Sequence, residues 1–222
     1  MNLSQGKSFW SVYLFFILLI SYLLISSAFC CEINKIVDGL QKKYDKTSDI
    51  VAFFKQITYT PGDPNGTKAT GKVYFKRPHL MRWDYKEPEE QLIVTSGKNV
   101  YLYEKEAEQV SVLPRDRFLS SKISRAFFFG KGDIRREFFV DWCKKNGNLF
   151  ELKLRPKTKI PQLKVLFLFV DPKSFLIKKT ILEDQLGSKT IIEFSKITVN
   201  KGLSDELFHF TVPKGVEIFN IE

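Results

Sequence analysis

The 222 residues carry a net charge of +10 and are 44% hydrophobic, which suits one domain with a substantial core and excludes a disordered chain. Of the 35 basic residues only Lys7 precedes Glu32, which leaves 34 against 25 acidic from Cys31 onward, a balance of +9. The cations are scattered, as at Lys42-Lys43, Lys144-Lys145 and Lys178-Lys179, with no helix carrying a basic stripe; this is the pattern of a solvated surface, and no nucleic-acid partner is expected.

The first charged side chain is Lys7, followed by Val12 to Ile20 without a charge, apolar character as far as Ile25, and the small-residue end Ser26-Ser27-Ala28 before Phe29-Cys30-Cys31. A basic start, an apolar middle and a small-residue end describe a secretory signal peptide over residues 1–30, cleaved after Ala28 or after Cys30. Two alternatives stay open. Residues 9–25 come close to the length of a retained membrane anchor, and Cys31 or Cys30 is a conceivable lipidation site, although Phe29 and Cys30 suit one poorly. A Cys31–Cys143 disulfide is permitted in an oxidising compartment, as are free thiols.

The remaining chain, 31–222, reads as one domain. Ile33, Ile36, Val37, Leu40 and Tyr44 recur at helical spacing over 32–44, with Gly39 as a weak point. Residues 50–59 are strand-like, and Thr60 to Gly66 form a turn by composition. Gly66-Thr67-Lys68-Ala69-Thr70-Gly71-Lys72 has the spacing of a phosphate loop, but Val73 stands where the magnesium-ligating hydroxyl belongs. The residues that follow alternate like a strand, whereas a phosphate loop opens a helix, so nucleotide binding is rejected.

Gly71 to Tyr85 alternates strictly on both sides of a Pro and predicts two short strands joined at Arg77-Pro78-His79. Val73, Phe75 and Arg77 share one face of the first strand; Met81, Trp83 and Tyr85 share one face of the second. Arg77 is the odd member of an apolar row and must find partners or reach water, because an unpaired buried charge costs several kcal/mol. Strands follow at 91–95, 100–104 and 109–113, with a hairpin turn at Ser96-Gly97-Lys98-Asn99. The period then changes. Leu119, Ile123 and Phe127, with Phe128 beside them, predict a helix within 115–132 closed by Gly130-Lys131-Gly132. Strands return at 137–142, 148–154, 163–171, 174–183 and 189–199; Leu163 to Val170 is apolar at nearly every position, so both of its faces are expected to be covered.

Catalytic signatures are missing: there is no G-x-S-x-G, no HExxH and no CxxC, and two histidines, His79 and His209, cannot build a zinc site with ordinary spacing. No enzyme, metal or cofactor is expected. Twenty-one Phe, eight Tyr and three Trp instead supply apolar area for a core or for ligand walls.

Gly-x-Val-x-Phe-Lys-Arg-Pro-x-x-Met-x-Trp-x-Tyr, with Glu87-Pro88 and Gln91 to Lys98 after it, resembles the outer-membrane lipoprotein carrier family, LolA. Phe54-x-Gln56, Asp171-Pro172, Glu183 to Gly187, Phe194-Ser195, Asn200 and the ending Leu207 to Ile218 extend the resemblance over about residues 40–218. It implies a mainly β fold, one antiparallel sheet curled into an unclosed half-barrel under a lid of short α-helices. Val73, Phe75, Met81, Trp83 and Tyr85 would be acyl-cavity wall, Leu119, Ile123, Phe127 and Phe128 lid, and Arg77 the latch that hydrogen-bonds the lid. The implied partners are lipoprotein acyl chains, an inner-membrane lipoprotein-releasing ABC transporter, and the acceptor LolB or the outer membrane itself, for a monomer in the periplasm. A lipid-sensing envelope-stress regulator and a lipid-anchored LolB-like acceptor are the alternative functions.

Overall fold

A computed structural model describes residues 31–116, 133–159 and 163–221. The chain divides into two units, Met1–Cys31 and Glu32–Glu222, and every described strand belongs to the second. Cys31 and Cys143 are each disulfide-bonded. Among the described residues no helix is long and apolar enough to cross a membrane.

Helix α1 spans Ile33–Asp45 and buries Ile36, Val37 and Leu40, the stripe its spacing predicts. Lys42 and Lys43 lie in its last turn, where cations complement the negative end of the helix dipole. Gly39 has a packing reason. A Cβ there would stand 2.2 Å from the Phe175 ring, so the helix accepts its weakest residue to let that ring approach.

Two meanders of hairpins make the sheet. The first runs β1 (Asp49–Tyr59), β2 (Thr67–Lys76), β3 (Leu80–Glu87), β4 (Gln91–Ser96), β5 (Asn99–Glu104) and β6 (Gln109–Pro114). After the short helix α2 (Ile134–Glu137) the second runs β7 (Phe138–Asn146), β8 (Leu149–Pro156), β9 (Val165–Val170), β10 (Ile177–Glu183) and β11 (Lys189–Val199). They join where β11 pairs antiparallel with β1. A last strand, β12 (Glu217–Asn220), completes the order β12-β6-β5-β4-β3-β2-β1-β11-β10-β9-β8-β7. The two end strands do not pair, so the sheet is not closed.

Several sequence expectations need correcting. The sheet is not wholly antiparallel: β12 runs parallel to β6, because the chain leaving β11 crosses from the middle of the sheet to its far edge before it pairs. The strand expected from Ser174 begins only at Ile177. Asp171 accepts hydrogen bonds from Lys173 N, Ser174 N and Ser174 Oγ at 3.2, 2.7 and 2.7 Å, and this turn holds Phe175 at φ +55°. The strand expected from Glu137 starts at Phe138, since Asp133 caps α2 by accepting from Arg135 N and Arg136 N. From residue 117 on, the helix expected within 115–132 lies outside the described residues, and Leu119, Ile123, Phe127 and Phe128 with it.

The C-terminal segment covers the outer face of the first meander. Arg82, which alternation turns away from the concave face, donates to Leu207 O at 3.1 Å, and Lys76 reaches Leu203 O and the Asp205 carboxylate. Phe208, in a 3-10 turn at Asp205–Phe208, is buried, and the Phe210 ring lies 5.2 Å from Tyr101. The buried Asp49 carboxylate fixes the segment's start by accepting from the backbone N–H of Lys201, Gly202 and Leu203. β9 is covered on both faces as its composition requires, with Leu166 and Leu168 buried inward and Phe167 outside against Trp142 at 6.0 Å.

Candidate functional site

Residues facing inward from both meanders enclose a hollow of about 340 Å³. Its walls are Ile50 and Ala52 of β1, Val73 and Phe75 of β2, Met81, Trp83 and Tyr85 of β3, and Ile93 of β4. Opposite them stand Leu166 and Leu168 of β9, Ile177 and Leu182 of β10, and Ile192, Phe194 and Ile197 of β11. Strands β4 and β9 are six places apart in the sheet, so a single hollow lined by both requires the sheet to curl.

All five residues assigned to the wall from the sequence line the hollow. Beneath them Phe54 packs its ring edge-on to Trp83 at 4.8 Å and to Tyr85 at 5.0 Å. Its ring fits because residue 71 is Gly: a Cβ there would meet Asp84 O at 2.1 Å and the Phe54 ring at 2.8 Å. A buried aromatic floor thus holds Trp83 and Tyr85 in place.

Two irregularities decide which side chains reach the hollow. Simple alternation in β11 would turn Lys196 inward after Ile192 and Phe194. A bulge opposite Val51 and Phe53 adds one residue, places Lys196 at φ +48°, and turns Ile197 to the hollow. The Lys196 ammonium lies instead over the exposed Phe53 ring on the outer face, 5.2 Å from its centroid. A second register shift, between Ile177 and Lys179, brings Ile177 rather than Lys178 to the lining.

One end of the hollow is formed by the last turn of α1. The Tyr44 ring lines it, its hydroxyl oxygen accepts from Ile177 N at 3.3 Å, and burial pushes its pKa up to about 12. Arg77 lies just past β2, where its backbone N–H donates to Ser48 O at 2.9 Å and the peptide to Pro78 is cis. Its guanidinium donates through Nη2 to Tyr44 O, with the Asp45 carboxylate 4.0 Å away. The Arg77 fork therefore holds the residue that forms the end wall.

At the other end the lining turns polar. Tyr85 donates to Gln56 Oε1 at 3.3 Å, Gln56 donates to Thr58 Oγ1 at 3.2 Å, and Thr58 and Thr190 hydroxyls stand 3.4 Å apart. Burial raises the Tyr85 pKa to about 12, so it is a neutral donor at physiological pH. Sequence reasoning missed Tyr44 and Gln56 as cavity residues, along with the wall from β10 and β11. Their inward period was readable, but only the curl shows that these faces meet Val73 and Trp83.

Among the described residues no group of His, Cys, Asp and Glu could hold a metal ion. An unclosed, curled sheet around an apolar hollow defines a half-barrel. Residues 45–211 match the family described as Outer membrane lipoprotein carrier protein LolA, and the chain belongs to that family of non-enzymatic carriers. It is 30% identical over 185 residues to the outer-membrane lipoprotein carrier protein of Pseudomonas putida strain W619, covering 82% of this chain and 85% of that one. With its Pseudomonas aeruginosa PAO1 counterpart it shares 31% over 184 residues, covering 82% and 86%. The fold resembles a crystal structure of an uncharacterized conserved protein from Thermus thermophilus, with TM-score 0.54 at 12% identity over 85% of this chain and 99% of that one.

Proposed function

We propose that the protein is a periplasmic carrier of lipoproteins, holding their acyl chains in the hollow of the half-barrel. The observation that carries this reading is the hollow itself: apolar walls from seven consecutive strands, with Arg77 tying the Tyr44 end wall in place. Each buried methylene contributes about 0.8 kcal/mol, so acyl chains are retained without directional contacts, and the carrier tolerates cargo of different sequence.

Release needs a competing state that the ligand does not stabilise. Arg77 is the latch of that state: its bond to Tyr44 O closes the end wall in the empty protein. Leu119, Ile123, Phe127 and Phe128 are the lid in this reading, and residues 1–30 are a signal peptide removed on export. The carrier takes lipoproteins from an inner-membrane ABC transporter and gives them to an acceptor such as LolB or to the outer membrane.

The test is release. Chain beginning near Cys31 is added to energised inner-membrane vesicles bearing a labelled, triacylated lipoprotein. The reading predicts a soluble one-to-one complex that then yields the lipoprotein to outer-membrane vesicles. Label that stays in the inner-membrane vesicles whatever amount of protein is added overturns it.

A further inference from the structure

The polarity of the hollow is graded along β1, β3 and β11, and these three strands agree on its direction. On β1, Ile50 and Ala52 precede Gln56; on β3, Met81 and Trp83 precede Tyr85. On β11, which runs the opposite way, Ile197, Phe194 and Ile192 give way to Thr190 and then Ser188; on β10, Ile177 lies at the apolar end and Asp184 at the polar one. Between them β10 is mixed: Thr180, opposite Ile192, precedes Leu182, which stands opposite Thr190. The apolar end abuts Tyr44, whose hydroxyl oxygen is engaged by Ile177 N.

The polar end is rich in neutral donors and poor in positive charge. The Gln56 amide has two N–H donors, of which the bond to Thr58 uses one; Tyr85 spends its proton on Gln56 Oε1 and so orients that amide, and the Thr190 hydroxyl lines the same end. Among the described residues, none of those lining the hollow is Lys or Arg, and the bulge that turns Lys196 outward helps keep it so. The one carboxylate there, Asp184, accepts from Leu186 N and Ser188 N at 2.8 Å each. An anionic headgroup would lose water and meet a carboxylate with no counter-cation, a costly exchange. An uncharged ester carbonyl needs only the donors that are present.

Resting on the carrier reading, we infer that the Gln56–Tyr85–Thr190 end of the hollow is a headgroup subsite for an uncharged acyl ester, which binds with its chain directed toward Tyr44. The subsite selects neutral glyceryl-ester amphiphiles over fatty-acid anions of equal chain length, and it sets which end of the cargo leaves by the β1–β2 and β10–β11 turns.

The experiment displaces a pyrene-bearing alkyl probe from the protein with three competitors of one chain length: a monoacylglycerol, the free fatty acid at neutral pH, and the alkane. The inference predicts that the monoacylglycerol competes best. In Gln56→Leu with Tyr85→Phe its advantage over the alkane should fall by about three- to tenfold, the equivalent of one or two neutral hydrogen bonds. A parent-like circular dichroism spectrum and urea midpoint show that the variant is folded, and Tyr85→Phe alone, which keeps the ring and leaves the apolar area nearly unchanged, should show part of the loss. Equal competition by ester, acid and alkane, or an ester advantage untouched by these substitutions, overturns the subsite while leaving the carrier reading standing. A probe that does not bind the parent protein at all overturns both.

Discussion

Replacing Arg77 by Leu isolates the latch. A hydrogen bond from a charged donor is worth about 1.5–3 kcal/mol, but the Arg77 side chain is 31% exposed, which places it at the low end of that range. The half-exposed Asp45 carboxylate at 4.0 Å adds no more than a few tenths of a kcal/mol. The latch is therefore worth roughly 1.5 kcal/mol to the empty, closed state, about a tenfold change in the balance between closed and open forms. The backbone bond from Arg77 N to Ser48 O survives the change, so the hairpin is retained. Arg77→Leu should load lipoprotein normally and transfer it to acceptor membranes about tenfold more slowly. Arg77→Lys should be impaired in the same direction, because one ammonium cannot reproduce the fork that faces Tyr44 O and Asp45 together. The assay follows labelled lipoprotein moving from purified carrier to outer-membrane vesicles. Parent-like transfer by both variants would refute the latch and reduce Arg77 to a structural support for the end of α1.

Two further expectations concern the frame around the hollow. Gly39→Ala should destabilise the protein by about 1–3 kcal/mol, the reverse of the gain of about 1 kcal/mol that helix propensity predicts. The new Cβ falls 2.2 Å from the Phe175 ring, and a stabilised urea midpoint would contradict this packing. The Asp171 carboxyl is held below its usual value, first by the Ser174 hydroxyl and then by the Ser174 backbone N–H. A depressed folded pKa gives a contribution that is present above the unfolded value near 3.8 and lost as pH falls through the folded one. The Tm of the parent should thus drop more steeply below about pH 4 than that of Asp171→Asn; parallel acid profiles would show that this turn is not a source of acid sensitivity.

Much of the sheet was readable from period-two alternation, and Lys189–Val199 was read with the bounds the structure gives. The five wall residues of β2 and β3 were legible because each strand there has one apolar face and one polar face. The rest of the wall was not, since alternation says which residues share a face but not which way the sheet curls. The bulges were also invisible. Nothing in Phe194-Ser195-Lys196-Ile197 announces that Ile197 replaces Lys196 in the hollow, because the extra residue is defined only against Val51 and Phe53 of another strand. Strand β12 escaped notice for a related reason. All four of its residues are exposed, so it has no buried face to betray it, and its partner lies over a hundred residues earlier. Arg77 was legible as an anomaly, a cation in an apolar row; that its partner is a helix carbonyl is a tertiary fact.

Retention of acyl chains by the apolar walls of the hollow is tested most directly by affinity against chain length. Neutral acyl esters of increasing length should bind the purified protein more tightly by roughly 0.8 kcal/mol, about fourfold, for each added methylene until the hollow is full, and then level off. Affinity that does not rise with chain length would contradict the account.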